Sequence, residues 1–146
     1  RLVSDWSSDV CSSDLSEVDI IRELRTRNAL IRKRADGIVL LHHPPEFFSS
    51  TFEDFLENYK ALLSIQQGEI SPLLMNVGNV RKVDSASKIF MNKTLPEIAH
   101  KMAMVPGNGS ALTRLTVKTY FILHRPPITS KVFRDDDEAI GWLKED

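Results

Sequence analysis

Residues Pro72–Met91, PLLMNVGNVRKVDSASKIFM, decide the fold. They read as a short apolar strand (Leu73, Leu74, Met75, Val77), a polar connection, and a helix opening at Asp84–Ser85. A brief apolar run bounded by turn formers suits a strand, and Asp and Ser are favoured at helix starts. The segments before this stretch supply strands and a helix to pack against it. Those after it repeat the strand–helix theme.

Working outward, Ala29–Arg34 and Ile38–His42 are two β-rich runs separated by Ala35-Asp36-Gly37. Asp-Gly between such runs predicts a hairpin, because its turn needs positive φ. Pro44-Pro45 ends the second strand, since proline donates no ladder hydrogen bond. Phe52, Phe55, Leu56, Tyr59, Leu62 and Leu63 recur with helical spacing, which predicts one buried helix face. Ser50 with Glu53 forms the expected capping box, and Gln66-Gln67-Gly68 the expected end. Ser16–Arg27 carries an Ile20-Ile21-Leu24 stripe that suits a helix or a strand equally.

Beyond the central stretch, a helix is predicted from Asp84 to about Asn92. A second, short one is predicted over Thr94–Ala99, capped by Thr94 with Pro96 in its first turn. Met102–Val105 reads as a strand ended by Pro106-Gly107. Ser110 opens a long helix to about His124, with Leu112, Leu115, Thr119 and Ile122 on one face. Ile128–Phe133 is a last strand, and the acidic run Asp135–Glu138 opens a final helix bearing Ala139, Ile140, Trp142 and Leu143. Strands alternating with helices after a hairpin predict a mixed sheet covered by helices.

The chain has 146 residues, 42% hydrophobic and 27% charged, which suits one globular domain with a sizeable core. A formal net charge of -1 argues against a nucleic-acid binder, which needs a concentrated positive field. No apolar run is long enough to span a bilayer, and no secretory leader is apparent. A cytoplasmic setting is expected. Residues 1–15, RLVSDWSSDVCSSDL, are Ser/Asp-rich without apolar period and are similar to a translated sequencing-adapter oligonucleotide. They are expected to be an assembly artefact rather than native protein, leaving residues 16–27 as a lead-in to a domain over 28–146. Taking Arg1, Asp5, Asp9 and Asp14 from the 19 basic and 20 acidic residues leaves 18 and 17, a net +1. The same removal takes away Cys11, the single cysteine, and with it any disulfide or thiolate chemistry.

Leu73–Val77, Val80, and Val83-Asp84-Ser85-Ala86-Ser87 with Ile89-Phe90 resemble the core of STAS domains. That family includes the anti-sigma factor antagonists and the cytoplasmic domains of sulphate transporters. Met104-Val105-Pro106, the long helix, Lys131–Phe133, Asp135–Ala139 and Trp142-Leu143 resemble the family's close, so the likeness covers residues 28–146. Within that family the chain resembles uncharacterised bacterial proteins related to the SpoIIAA-like (STAS/SEC14) group. The resemblance implies a single STAS/SpoIIAA-like α/β domain, a mixed sheet with helices packed mainly on one face. In the antagonists the first serine of Asp-Ser-Ser-Gly is phosphorylated by a partner kinase, and Ser85 occupies that position. Ala86 and Ser87 replace the usual Ser and Gly, and Asn76 stands where an acid is common.

The resemblance implies a non-enzymatic regulatory module that binds a protein partner, a kinase or an anti-sigma-like factor, and is compatible with homo-oligomers. Ser85 is the phosphorylation candidate, and Asp84, Ser85, Ser87 and Lys88 are the partner-binding candidates. Helix capping alone accounts for Asp84-Ser85 and is the simpler reading. The alternative is a small-molecule or lipid-binding STAS/SEC14-like module with an apolar cavity under the Leu112–Ile122 helix. No cofactor, metal or catalytic residue is expected. His42 and His43 are adjacent on a strand and point to opposite faces, so both read as surface residues at a strand end. His100 and His124 are isolated on helices. Arg32-Lys33-Arg34 and Arg81-Lys82 form small basic patches that suit phosphate contacts, and solvent-facing side chains on a strand and a loop explain them as well. Pro106–Ser110 lacks the Gly-Lys-Ser/Thr ending of a phosphate loop. Phe47-Phe48 forms an apolar patch beside Pro44-Pro45 that suits either burial or contact with a partner.

Overall fold

A computed structural model describes residues 19–47, 49–78, 80, 82–106 and 126–145. In chain order the elements are β1 (Ile20–Arg25), β2 (Leu30–Arg34), β3 (Val39–His42), β4 (Ser49–Ser50), α1 (Phe52–Gln66), β5 (Ser71–Asn76), β6 (Lys82–Val83), α2 (Ser85–Ile98), β7 (Ala99–Val105), β8 (Thr129–Val132) and α3 (Asp136–Leu143). Six strands form one sheet in the order β1-β2-β3-β5-β7-β8, and β4 pairs with β6 apart from it. β1, β2 and β3 are antiparallel, and β3, β5, β7 and β8 are parallel. The sheet is mixed, as expected. The expected helix over residues 110–124, and the cavity beneath it, lie outside the described residues. So do Phe48, Arg81, His124 and the Lys82 side chain.

The lead-in resolves as a strand, β1, at the sheet's edge. The Asp36-Gly37 hairpin forms as expected. Gly37 has φ 94°, its N–H donates to Arg34 O at 3.0 Å, and Asp36 Oδ1 accepts from the Ile38 N–H at 3.3 Å. Strands β3, β5 and β7 are apolar on both faces, which a sheet covered on both sides demands. Alternation sends Val39, Leu41, Leu73, Met102 and Met104 to the face covered by α1 and α2. Ile38, Leu40, Leu74, Ala103 and Val105 face α3. Two of the three described helices therefore share one face.

Helix α1 differs in phase from its apolar stripe. Phe52 and Leu63 are 36% and 41% exposed, while Asp54 and Asn58 are buried beside Leu62 and Ile65. The connection between β1 and β2 sets this phase. Asn58 Nδ2 donates to Asn28 Oδ1 at 3.0 Å, Asn58 Oδ1 accepts from Thr26 Oγ1, and Arg27 Nε donates to Asp54 Oδ1 at 2.6 Å. The cap also lies one residue later than expected. Thr51 Oγ1 accepts from Asp54 N at 3.2 Å and Asp54 Oδ2 accepts from Thr51 N at 2.9 Å. Ser50 is unavailable for capping because it pairs in β4 and its Oγ accepts from Asn28 Nδ2 at 2.8 Å. The helix ends on Gln67 and Gly68, both with positive φ.

The two helices expected over 84–99 are one. Thr94 does not cap anything: its hydroxyl donates to Phe90 O at 2.8 Å, inside α2. Pro96 lies in the final turn, where its missing N–H interrupts a single helical bond. Leu95 and Ile98 are buried, and the chain passes directly from α2 into β7 at Ala99. That direct passage leaves no residues for a break.

Asp54 joins the cap of α1 to the hairpin side of the sheet. Its carboxyl is pulled down to about 2, chiefly by the Arg27 hydrogen bond acting against burial. Arg27 is half exposed, so most of the value lies in the cap. Asp54→Ala is expected to cost about 2 kcal/mol in urea unfolding, read as a lower midpoint at unchanged slope.

Candidate functional site

The start of α2 is held by Asp84, whose Oδ1 accepts from Ser87 N at 2.7 Å. The β4–β6 pair brings the chain to this point through Ser49–Lys82 and Ser50–Val83. Of the four candidate contact residues, Asp84 and Ser85 are exposed, Lys88 is half-buried, and Ser87 is fully buried. One turn beyond Ser85, Ile89 is 68% exposed. Residues four apart share a helix face, so Ser85 and Ile89 form one small surface with a hydroxyl and an apolar side chain.

The inner face of α2 closes a cavity of about 190 Å³ against α1 and the sheet. Its walls include Leu41, Met75 and Met104 from the strands, Phe55 and Tyr59 from α1, and Phe90 from α2. Phe90 meets Phe52 and Tyr59 edge-on at centroid distances of 5.3 and 5.4 Å, a favoured aromatic geometry. The Tyr59 hydroxyl donates to Glu97, bridging the two helices at the rim.

His43 is the titratable group in this wall whose state the geometry defines. Its Nδ1 lies 3.1 Å from the Asn76 carbonyl, which can only accept, so Nδ1 carries the proton. Burial pushes the imidazole below its ordinary value, against the Asn76 bond. The ring is accordingly neutral at pH 7. Gly78 packs over this residue with φ 57°, and a Cβ there would sit 2.8 Å from His43 O. Gly78→Ala is therefore expected to lower stability by about 2 kcal/mol or more, measured by chemical denaturation.

On the opposite face a polar cluster was not anticipated. His42, read from sequence as a surface residue, is 3% exposed, and its Nε2 lies 2.8 Å from Asp136 Oδ2. Asn76 Nδ2 donates to Asp136 Oδ1 at 3.0 Å. The Arg32-Lys33-Arg34 run, read as solvent-facing, is buried throughout, at 1%, 5% and 2% exposure. Lys33 pairs with Glu69 at 2.6 Å and Arg34 with Asp36 at 2.7 Å. Arg32 has Glu23 at 3.9 Å, and its Nε and Nη2 make no hydrogen bond. Burial pushes Arg32 down to about 10, with Asp136 drawing it back up, so it stays charged at neutral pH. A usable signal existed. His42 and Asn76 each end an apolar strand at paired positions, and Asp136 begins a helix.

Asp136 is desolvated, yet the His42 bond and charge, Asn76 and Arg32 outweigh that and hold its carboxyl below the ordinary range. A depressed carboxylate contributes stability above the unfolded value and loses it as pH falls through the folded one. Asp136→Ala is expected to cost about 3 kcal/mol at pH 7, by removing the acceptor of His42 and Asn76 and leaving the buried Arg32 with only the 3.9 Å Glu23 contact among the described residues. The gap from the parent should close on acidification below about pH 4, measured by denaturation at several pH values.

Among the described residues, no group of three or more His, Cys, Asp or Glu is placed to hold a metal ion. No described helix is long and apolar enough to cross a membrane. Phe47 lies 5.1 Å from the Arg27 guanidinium, so this aromatic of the Pro44-Pro45 patch has an internal partner.

Residues 32–145 match the model of a family described as Domain of unknown function (DUF7793). The chain belongs to the DUF7793 family. The matched span runs from β2 through α3, so the start of α2, the cavity and the His42–Asp136 pair all fall within the DUF7793 domain. The chain is also similar to a crystal structure of an uncharacterized protein of the DUF3478 family with a SpoIIAA-like fold from Shewanella loihica PV-4. The identity is 16%, with 86% of this chain and 93% of that chain covered, at a TM-score of 0.49. No curated protein matches the chain. The mixed sheet with two described helices on one face is the architecture that the STAS/SpoIIAA-like resemblance implied.

Proposed function

We propose that this DUF7793 domain is a non-enzymatic regulatory module that binds a protein partner through the start of α2 and is switched by phosphorylation at Ser85. The supporting observation is the surface made by Ser85 and the 68%-exposed Ile89, one turn apart. Ser85 is open to a kinase. Asp84 and Lys88 flank it as further contact groups, while the buried Ser87 serves to anchor the turn. A phosphate on Ser85 would meet the free N–H groups and positive dipole end of α2. It would also stand beside the Asp84 carboxylate and compete with it for the Ser87 N–H, changing both charge and shape where a partner docks. A kinase or an anti-sigma-like factor in the cytoplasm is the partner class that the STAS likeness suggests.

A second reading is favoured by the cavity. About 190 Å³ of largely apolar space can take a small ligand, on the scale of voids that hold a benzene ring. This cavity, between α1, α2 and the sheet, is not the one expected under the Leu112–Ile122 helix, and it supports a small-molecule reading in its own right.

Phosphate-affinity electrophoresis of the chain expressed with its genomic neighbours tests the first reading. A retarded band is expected that disappears in Ser85→Ala, with no loss of thermal stability. Absence of any retarded band leaves Ser85 as the first residue of a capped helix and removes the switch.

A further inference from the structure

We infer that the cavity between α1, α2 and the sheet selects a small neutral aromatic molecule bearing one hydrogen-bond donor, a phenol or indole type, with His43 Nε2 as the acceptor. The inference deepens the small-ligand reading and rests on it. Its starting point is the polar inventory of the cavity wall. Asn58, Tyr59 and Thr94 line the cavity, and each directs a donor to a protein acceptor: Asn28, Glu97 and Phe90 respectively. Asn58 Oδ1 and Ser50 Oγ accept from Thr26 and Asn28. Lys88 also lines the cavity and has an interaction of its own. His43 is different. Its side chain emerges on the α1–α2 face, in phase with Leu41 and opposite to His42. Nδ1 is committed to the Asn76 carbonyl, and no described residue hydrogen-bonds Nε2. A neutral ring so anchored presents a lone pair, never a proton, at Nε2.

Several consequences define the ligand. Among the described residues the wall is largely apolar, so His43 Nε2 rewards a ligand that brings one donor on an otherwise apolar body. A carboxylate is disfavoured, because two lone pairs would face each other. The space suits one or two fused rings, and the edges of Phe90, Phe55 and Tyr59 offer aromatic contacts. The neighbouring His42 takes no part, since its Nε2 is bound to Asp136 on the other face of the sheet.

The test uses the full chain and three probes of similar size: phenol, toluene and benzoate, each titrated by calorimetry against the parent and His43→Leu. Phenol is expected to bind the parent at least as tightly as toluene, and the phenol-to-toluene affinity ratio should fall about tenfold in His43→Leu. If that variant does not fold, imidazole nitrogen NMR of the parent gives the same answer. The Nε2 resonance should move with phenol and stay with toluene. Equal ratios in parent and variant, or an Nε2 resonance indifferent to phenol, overturn the inference but leave an apolar cavity that binds. Preference for benzoate overturns it in favour of an anion site at Lys88. Binding of none of the three overturns both the inference and the small-ligand reading.

Discussion

The structure depends on three parallel strands that are apolar on both faces. β3, β5 and β7 place Leu40, Leu74 and Ala103 on one side and Leu41, Leu73 and Met102 on the other, all at 2% exposure or less. Neither face can be left to water, so a cover is required twice. α1 and α2 supply one cover with aromatic and aliphatic bulk. Among the described residues, α3 supplies the other with eight residues. So short a helix buries little area, and polar ties supplement it. Asp136 joins the first turn to His42 and Asn76, while Lys101 Nζ reaches Trp142 O at 2.7 Å and lies 4.4 Å from the indole centroid. The charged groups under this helix are therefore part of how the far face of the sheet is closed.

This explains which features were legible in the sequence. Asp36-Gly37 announces its turn because the conformational demand is local. The strand runs announce themselves because apolar continuity over a few residues is their whole signature. The final helix is legible from Asp135–Glu138 for the same local reason, its cap being made by Asp135 and Glu138 alone. The burial of Arg32 and His42 is of another kind. Nothing within β2 or β3 distinguishes a solvent-facing cation from one that meets a carboxylate more than ninety positions away, as His42 meets Asp136.

Helix α1 shows the intermediate case. Its apolar residues define a stripe, yet the observed face is rotated so that Asp54 and Asn58 turn inward. Two hydrophobic edges are exposed in exchange for a satisfied hydrogen-bond network with Thr26, Arg27 and Asn28. The connection between β1 and β2 otherwise leaves buried amide and hydroxyl groups without partners, and that cost exceeds the gain from covering Phe52 and Leu63. Periodicity counts only apolar area, so it misplaces a helix whose orientation is set by polar satisfaction. At the candidate site the same limit applies. Asp84-Ser85 was legible as a helix start, whereas the Ile89 surface and the state of His43 depend on neighbours from other strands and helices.

Helix α2 belongs to both functional readings at once. Its outer face carries Ser85 and Ile89, and its inner face carries Phe90 and Leu95 into the cavity wall. One element that carries the proposed modification site on one side and the proposed ligand contact on the other is a physical route for coupling. A ligand that holds Phe90 in place would favour one position of α2 over others, and a phosphate at the first turn would act on that same equilibrium. Linkage then requires the effects to be reciprocal. If occupancy of the cavity alters how readily a partner engages Ser85, engagement of Ser85 must alter ligand affinity by the same factor. The direct passage from α2 into β7 anchors the C-terminal end of the helix, so a shift of this kind would fall on its N-terminal end. There the β4–β6 pair and the Asp84 cap are the restraints, and Ser85 sits within them.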